Sequence, residues 1–436
     1  MSADPMSQLF TSALGLSSPW RVEKVRFEQA LNEIHFEVVC DAQRLACPRC
    51  EAPDQPIHDR QMRDWQHLHF FQFRAFVHAA VPRVRCRHCG ERGEPEVKQV
   101  PVPWARERSG FSLMFEALVV TLVRMSNMPV RQVGALLGVT DTRLWRSLAA
   151  LVDQAMADVD MSAVDAVGID EKYVGRQGVI TVVHDARRGE VLHVSQGCKA
   201  ANVGEFAATL SEHGGDPNQV TSCTLDMSRA FIAGVATHLP NAAACFDPFH
   251  LVKLANEALD KVRRDEVAEL PELKGTRYHW LRDASAWSPK EVELHWLRMG
   301  RSQTARAWRM KEALRDILAW RRAPQVPVVM LLDRWIGWCQ RSRLTPFKRL
   351  AKTFQCHIEG IRNMLAAANS NAHAESINAA IQAAIARARG FRTFKNLHTI
   401  IFLIRGGLKL PASPFAISPA QSVSYTHLRA HETVLD

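Results

Sequence analysis

The chain has 436 residues, enough for two or more domains with sizeable cores. Its 47% apolar content is ordinary for a globular protein, and its net charge of +10 suits a polyanionic partner. No uncharged apolar run approaches the ~20 residues of a membrane helix. The N-terminus lacks a basic start followed by an apolar stretch, so a cytoplasmic location is expected.

In chain order, the first 100 residues read as an N-terminal zinc-binding module. Ile34-His-Phe-Glu-Val-Val39 is a strand candidate. Ten cysteines in a reducing compartment argue against a disulfide framework. Cys47-Pro-Arg-Cys50 and Cys86-Arg-His-Cys89 are two C-x-x-C turns, each able to aim two thiolates at one tetrahedral zinc ion. Any of His58, His67, His69 or His88 is an alternative to a thiolate. Residues 46 to about 100 read as loop-rich. The stretch between His67 and His78 alternates like a strand, however, and can form a hairpin. Arg83, Arg85 and Arg87 suggest phosphate contact. Gly90 to Pro103 reads as a linker. Cys40, Cys198, Cys223, Cys245, Cys339 and Cys356 read as small core residues.

A helix-turn-helix is expected within residues 104–158. Val133, Leu136 and Leu137 form its apolar face, Gly138 takes the positive φ of the turn, and Thr140 or Asp141 caps the second helix. Arg131, Thr142, Arg143 and Arg146 are its candidate DNA-binding residues.

Residues 164–250 are strand-rich. Ala166-Val-Gly-Ile-Asp170 ends in a carboxylate and begins a three-stranded antiparallel meander, continued by Val179–His184 and Glu190–Ser195. A helix over 202–213, a strand ending at Asp226, a helix over 229–239 and a strand over 242–246 follow. Three antiparallel strands and then two joined through helices is the order of the ribonuclease-H-like fold, an α/β class. It would set Asp170 beside Asp226. Glu375 opens a helical stretch, with Asn378 one turn on. Two strand-end aspartates and a helix glutamate are the hard oxygen ligands of a two-metal site, with two Mg²⁺ or Mn²⁺ ions, for phosphoryl transfer. Asp247 and His250, in Asp247-Pro-Phe-His250, compete for a place at the same metals, with Asp226 preferred as second ligand. Between Arg341 and Leu410 stand twelve Lys/Arg against two Asp/Glu. Within this excess Arg387, Arg389, Arg392 and Lys395 are candidate DNA contacts.

Gly168-Ile-Asp-Glu171, Leu225-Asp-Met-Ser228, Asp247-Pro-Phe-His250 and Ser370-Asn-Ala-His-Ala-Glu375-Ser-Ile-Asn378 together resemble the motifs of bacterial insertion-sequence DDE transposases of the ISL-three-type family. The resemblance covers roughly residues 10 to 410. It maps the family's catalytic triad onto Asp170, Asp226 and Glu375. It implies an all-helical insertion at 251–369, with the core's second part at 370–410. Trp280, Trp287, Trp296, Trp308, Trp320, Trp335 and Trp338 fall in that insertion, mostly as core aromatics. Terminal inverted repeats and target DNA are the implied partners, and a homodimer or higher assembly on DNA is plausible. Residues 422–436 depart from the family and read as a non-native tail. Two rivals are a zinc-finger and helix-turn-helix DNA-binding regulator, and a ribonuclease-H-like nuclease or resolvase that cuts without joining.

Overall fold

Alternation of apolar and polar residues writes the first sheet. On the strand from Phe73 to Cys86, Ala75, Val77, Ala79 and Val81 are buried at every second position. The computed structural model describes residues 4–89, 96–125, 128–282, 287–289, 292, 302–323, 325–366 and 372–414. The chain divides after Ala155 into two compact units, the second running Met156–Leu408.

The first unit opens with α1 (Pro5–Ala13), followed by β1 (Trp20–Glu28), β2 (Glu33–Cys40), β3 (Arg44–Leu45), β4 (Gln55–Phe70), β5 (Phe73–Cys86) and β6 (Glu96–Gln99). The strand order is β1-β2-β5-β4-β3, with β6 also on β5. The segment expected to be loop-rich is therefore mostly a long antiparallel hairpin of β4 and β5. Its Cys, Pro and Arg content hid an alternation that extends well beyond His67–His78. Part of the expected linker is strand β6, while residues 90–95 lie outside the described residues. Of the arginines expected at phosphates, Arg83 is already engaged, donating to both oxygens of Asp59.

Helices α2 (Leu113–Met125), α3 (Val130–Leu137) and α4 (Asp141–Ala157) complete this unit. Gly138 ends α3 at φ +66°, which a side chain would strain. Thr140 immediately precedes α4, its carbonyl accepting from the N–H of Leu144. Val130, Val133 and Leu137 are buried on α3, but Leu136 is 58% exposed. The buried stripe follows i, i+3, i+7, which leaves Leu136 outside it.

A buried carboxylate ties these helices together. Glu116 on α2 is 1% exposed and accepts two bonds of 2.7 Å from the Arg106 guanidinium. It also accepts from Ser109 at 2.9 Å and from Ser147 on α4 at 2.6 Å. Glu116→Ala would strand Arg106 and both hydroxyls, and should cost about 3–5 kcal/mol in denaturant titrations.

His67 on β4 is hydrogen-bonded to Ser112 Oγ at 2.7 Å, and burial pushes its pKa down from 6.5 to about 4. Its protonation is therefore disfavoured in the fold. The stability it contributes is present above about pH 6.5 and is lost as the pH falls toward 4. His67→Gln should lose less stability than the wild type between pH 7 and pH 5; an equal loss would exclude this residue as a source of acid sensitivity.

The second unit holds β7 (Ala166–Tyr173), β8 (Val179–Asp185), β9 (Val191–Gln196), α5 (Ala200–Glu212), β10 (Ser222–Leu225), α6 (Arg229–His238) and β11 (Ala243–Phe246). The sheet order is β11-β10-β7-β8-β9. β7, β8 and β9 pair antiparallel, while β10 lies parallel to both β7 and β11.

Helices α7 (Pro248–Glu266), α8 (Arg277–Leu281), α9 (Gln303–Ala319), α10 (Val328–Arg341), α11 (Thr345–Cys356), α12 (Ile358–Ala366), α13 (Ala372–Ala388) and α14 (Phe394–Arg405) follow. The sheet shares one core with α5–α7 and α9–α12: Ile169, Phe206, Phe231, Leu259, Leu314 and Phe354 all belong to it. Trp280, Trp308 and Trp335 are buried, and Trp287 and Trp338 pack against that core. Trp320, just past the end of α9, is 46% exposed and is the exception among the described tryptophans of this segment. Trp296 lies outside the described residues, as does the tail 422–436. Cys40, Cys223, Cys245 and Cys339 are buried as expected, Cys198 is half-buried and Cys356 is exposed. Phe347, Leu350, Ala351 and Phe354 define the buried face of α11, and Cys356 falls on the opposite side.

Candidate functional site

The parallel strands bring three aspartates to one level. Thr224 pairs with Gly168, and Leu225 pairs with Phe246. Carrying those registers forward puts Asp226 level with Asp170 on one side and with Asp247 on the other. Asp170 itself is not at the end of its strand, since β7 continues to Tyr173 through pairing with β8. On the β10 side, however, the ladder stops at Gly168, so Asp170 stands just beyond it.

Each aspartate is held by nearby N–H groups. Asp170 Oδ1 accepts from the Glu171 N–H at 2.8 Å, Asp226 Oδ1 from the Ser228 N–H at 2.9 Å, and Asp247 Oδ1 from the Phe249 N–H at 2.9 Å. Asp247 caps α7. Burial pushes its carboxyl above the usual carboxylate range, and the negative charges of Asp170 and Glu375 push the same way. The Phe249 N–H and His250 oppose the rise. The His250 Nε2 is 3.9 Å from Asp247 Oδ2.

Glu375 is exposed in the first turn of α13. Two bonds fix that helix to β7: Asn378 Nδ2 donates to Asp170 Oδ2, and Lys172 Nζ donates to the Asn378 carbonyl at 3.0 Å. Arg405 on α14 donates to Ser376 Oγ at 2.7 Å. The expected set therefore gathers around Asp170, Asp247, Glu375 and Asn378. For Asp226, register supplies the link to Asp170.

Sequence reasoning missed three neighbours. Lys172 follows Asp170 by two and shares its strand face, a spacing that was available as a signal. His184 stands opposite Gly168 in the β7–β8 register. It is buried, and burial pulls its pKa down to about 4, leaving a neutral ring beside Asp170 and His373. Cys198, read as core, has its thiol pushed up first by burial and then by Glu171 and Asp226. Gly168 is what lets the His184 ring lie against β7, since a Cβ there would fall 2.2 Å from Cε1 of that ring.

The four thiols of the first unit converge. Cys47 Sγ is 3.7 Å from Cys89 Sγ, Cys50 Sγ is 3.5 Å from Cys86 Sγ, and all four lie within 4.8 Å of one another. Zinc bonded to sulfur at about 2.3 Å sets tetrahedral sulfurs about 3.8 Å apart, so the cluster fits that ion. The N–H groups of Arg49 and His88 point at Cys47 and Cys86 Sγ, at 3.5 and 3.3 Å. The group that could hold an ion is made of these four thiols, and among the described residues no histidine joins it.

On the helix-turn-helix, Arg131, Thr142, Arg143 and Arg146 are all exposed. Arg143 lies over the Phe111 ring, 4.6 Å from its centroid. A groove of about 330 Å³ runs beside it, lined by Arg106, Arg108, Phe111, Arg143 and Arg146. Arg387 is half-buried at the end of α13; Arg389, Arg392 and Lys395 are exposed on the loop and first turn of α14.

Comparison with known proteins agrees with this layout. A DDE transposase model of ISL3 type matches residues 167–401, more than half of the chain. The chain belongs to the ISL3 family of transposases. The helix-turn-helix model of that family matches residues 100–152, and the zinc-finger model of the transposases of IS204, IS1001, IS1096 and IS1165 matches residues 43–89. The transposase for insertion sequence element IS1557 of Mycobacterium tuberculosis (strain CDC 1551 / Oshkosh) is 28% identical, over 92% of this chain and 96% of that protein. The transposase for insertion sequence element IS1001 of Bordetella parapertussis is 21% identical, over 80% and 86%. In this ISL3 transposase Gly168→Ala should displace His184 and cost about 1–3 kcal/mol of stability. Unchanged denaturant unfolding would show that the ring moves freely.

Proposed function

We propose that this transposase cuts and joins DNA at the terminal inverted repeats of its element, using Asp170, Asp226 and Glu375. The observation that carries the proposal is the alignment of Asp170 with Asp226 on neighbouring parallel strands, with Asn378 of the Glu375-bearing helix bonded to Asp170. The order β9-β8-β7-β10-β11 supports a ribonuclease-H-like core, and α7 to α12 support the helical insertion at about 251–369.

The donor set suits Mg²⁺ or Mn²⁺: hard carboxylate oxygens whose mutual repulsion, felt at Asp247, a cation relieves. Asp170, Asp226 and Glu375 are the residues that would hold two such ions, which when bound stabilise the charge on the attacking and leaving oxygens of a phosphoryl transfer. The protein's own groups do the rest. Asn378 orients Asp170, and Lys172 holds the helix that carries Glu375. His250 steadies Asp247, which remains the competitor to Asp226. In the first unit, Thr142, Arg143 and Arg146 on α4 and Arg131 on α3 contact the repeats, with zinc at the four cysteines holding the module's shape. Arg387, Arg389, Arg392 and Lys395 contact the backbone near the cut. Pairing two ends calls for a dimer or larger assembly.

Strand transfer with precleaved ends and Mg²⁺ separates the readings: a regulator leaves the DNA intact, a nuclease only degrades it, and a transposase joins it. Asp170→Asn, Asp226→Asn and Glu375→Gln should each lower cleavage at least ~100-fold while leaving end binding within about twofold, because each removes a metal ligand and no basic contact. Cleavage retained in Asp226→Asn and lost in Asp247→Asn would transfer the second ligand to Asp247.

A further inference from the structure

Glu28 and Glu33 stand directly opposite each other across β1 and β2. Like charges in that position repel. Arg26 Nη1 donates to Glu28 Oε1 at 3.2 Å, and Arg74 Nη2 donates to Glu33 Oε1. A third group faces the pair. His35, two residues from Glu33 and on the same strand face, is only 9% exposed. Its Nε2 is buried and makes no hydrogen bond. That atom is 3.4 Å from Glu33 Oε2 and 3.7 Å from Glu28 Oε1, and the three ligand atoms lie within 4.8 Å of one another.

The other side of the ring fixes which nitrogen carries the proton. Asp64 Oδ1 lies 2.5 Å from His78 Nδ1, and His78 Nε2 is 2.9 Å from His35 Nδ1. A carboxylate accepts, so His78 Nδ1 donates to it and His78 Nε2 is left to accept from His35 Nδ1–H. In the neutral ring His35 Nε2 then presents a lone pair to two carboxylates. That arrangement is repulsive, and either a proton on Nε2 or a cation between the three groups relieves it. Zinc bonded to nitrogen and carboxylate oxygen at about 2.0–2.1 Å sets neighbouring ligand atoms about 3.3 Å apart. The observed 3.4 and 3.7 Å match that spacing. A carboxylate and a second histidine behind the ligating imidazole form the outer shell such sites use.

We propose that Glu28, Glu33 and His35 bind a divalent transition-metal ion, zinc by its donor set, at a site that shares no residue with the four-cysteine cluster. The ion would join β1 to β2, with His78 and Asp64 on β5 and β4 holding its imidazole ligand.

The test is zinc stoichiometry on the full-length chain, loaded with zinc and dialysed, with circular dichroism to confirm folding. The wild type should hold one equivalent more than Glu28→Gln and His35→Gln. His78→Gln should weaken that equivalent about 10–100-fold. Glu28→Gln, at a half-exposed strand end, guards against loss through unfolding. Cobalt loading supplies a second readout: the equivalent lost in Glu28→Gln should carry no thiolate charge-transfer band, while the band of the cysteine cluster stays unchanged. Equal zinc content in wild type and Glu28→Gln would overturn the proposal. An extra equivalent that disappears only in Asp170→Asn would overturn it as well.

Discussion

Repulsion among carboxylates is the constraint around which the second unit is arranged. Burial raises the pKa of Asp247, and Asp170 and Glu375 lie close enough for their charges to add to that rise. Held near one another at a half-buried sheet end, they need compensation from fixed donors. Backbone N–H groups serve Asp170, Asp226 and Asp247, and the Asn378 amide serves Asp170 again. Each donor depends on a particular backbone path: the start of α7 at Asp247, the turn after β10 at Asp226, and the docking of α13 on β7. The sheet and its helices together maintain this charge arrangement.

The first unit meets a related problem by other means. Glu116 is buried outright, and one guanidinium and two hydroxyls surround it. A single carboxylate thereby ties residues 106–109 to α2 and α4. It also shapes one wall of the basic groove beside Arg143 and Arg146. The cysteine cluster likewise draws together two turns separated by a long hairpin.

Local patterns made much of this legible in the sequence. The meander from β7 to β9 and the two strands after it stand within a residue or two of where their apolar runs put them, except that β7 runs three residues past Asp170. Gly138 announced its turn by being the one residue there that tolerates φ +66°. Less local features were hidden. The β4–β5 hairpin was masked because arginine, proline and cysteine interrupt an alternation that only pairing makes plain. Leu136 and Cys356 were misplaced because counting apolar residues ignores which side of a helix has a neighbour. Lys172 and His184 acquire their roles from what lies across the sheet: α13, which is remote in sequence, and the bare surface of Gly168.

The bond between Asn378 and Asp170 joins residues more than two hundred positions apart. Closing so long a span costs entropy that nearby contacts do not offset until the intervening helices have packed. During synthesis the sheet and its aspartates therefore emerge well before the helix that carries Glu375. A chain interrupted anywhere in α7 to α12 would carry the whole sheet and its aspartates but neither Glu375 nor the Asn378–Asp170 bond. The order of residues along the polypeptide thus delays the gathering of these carboxylates until α13 has been made.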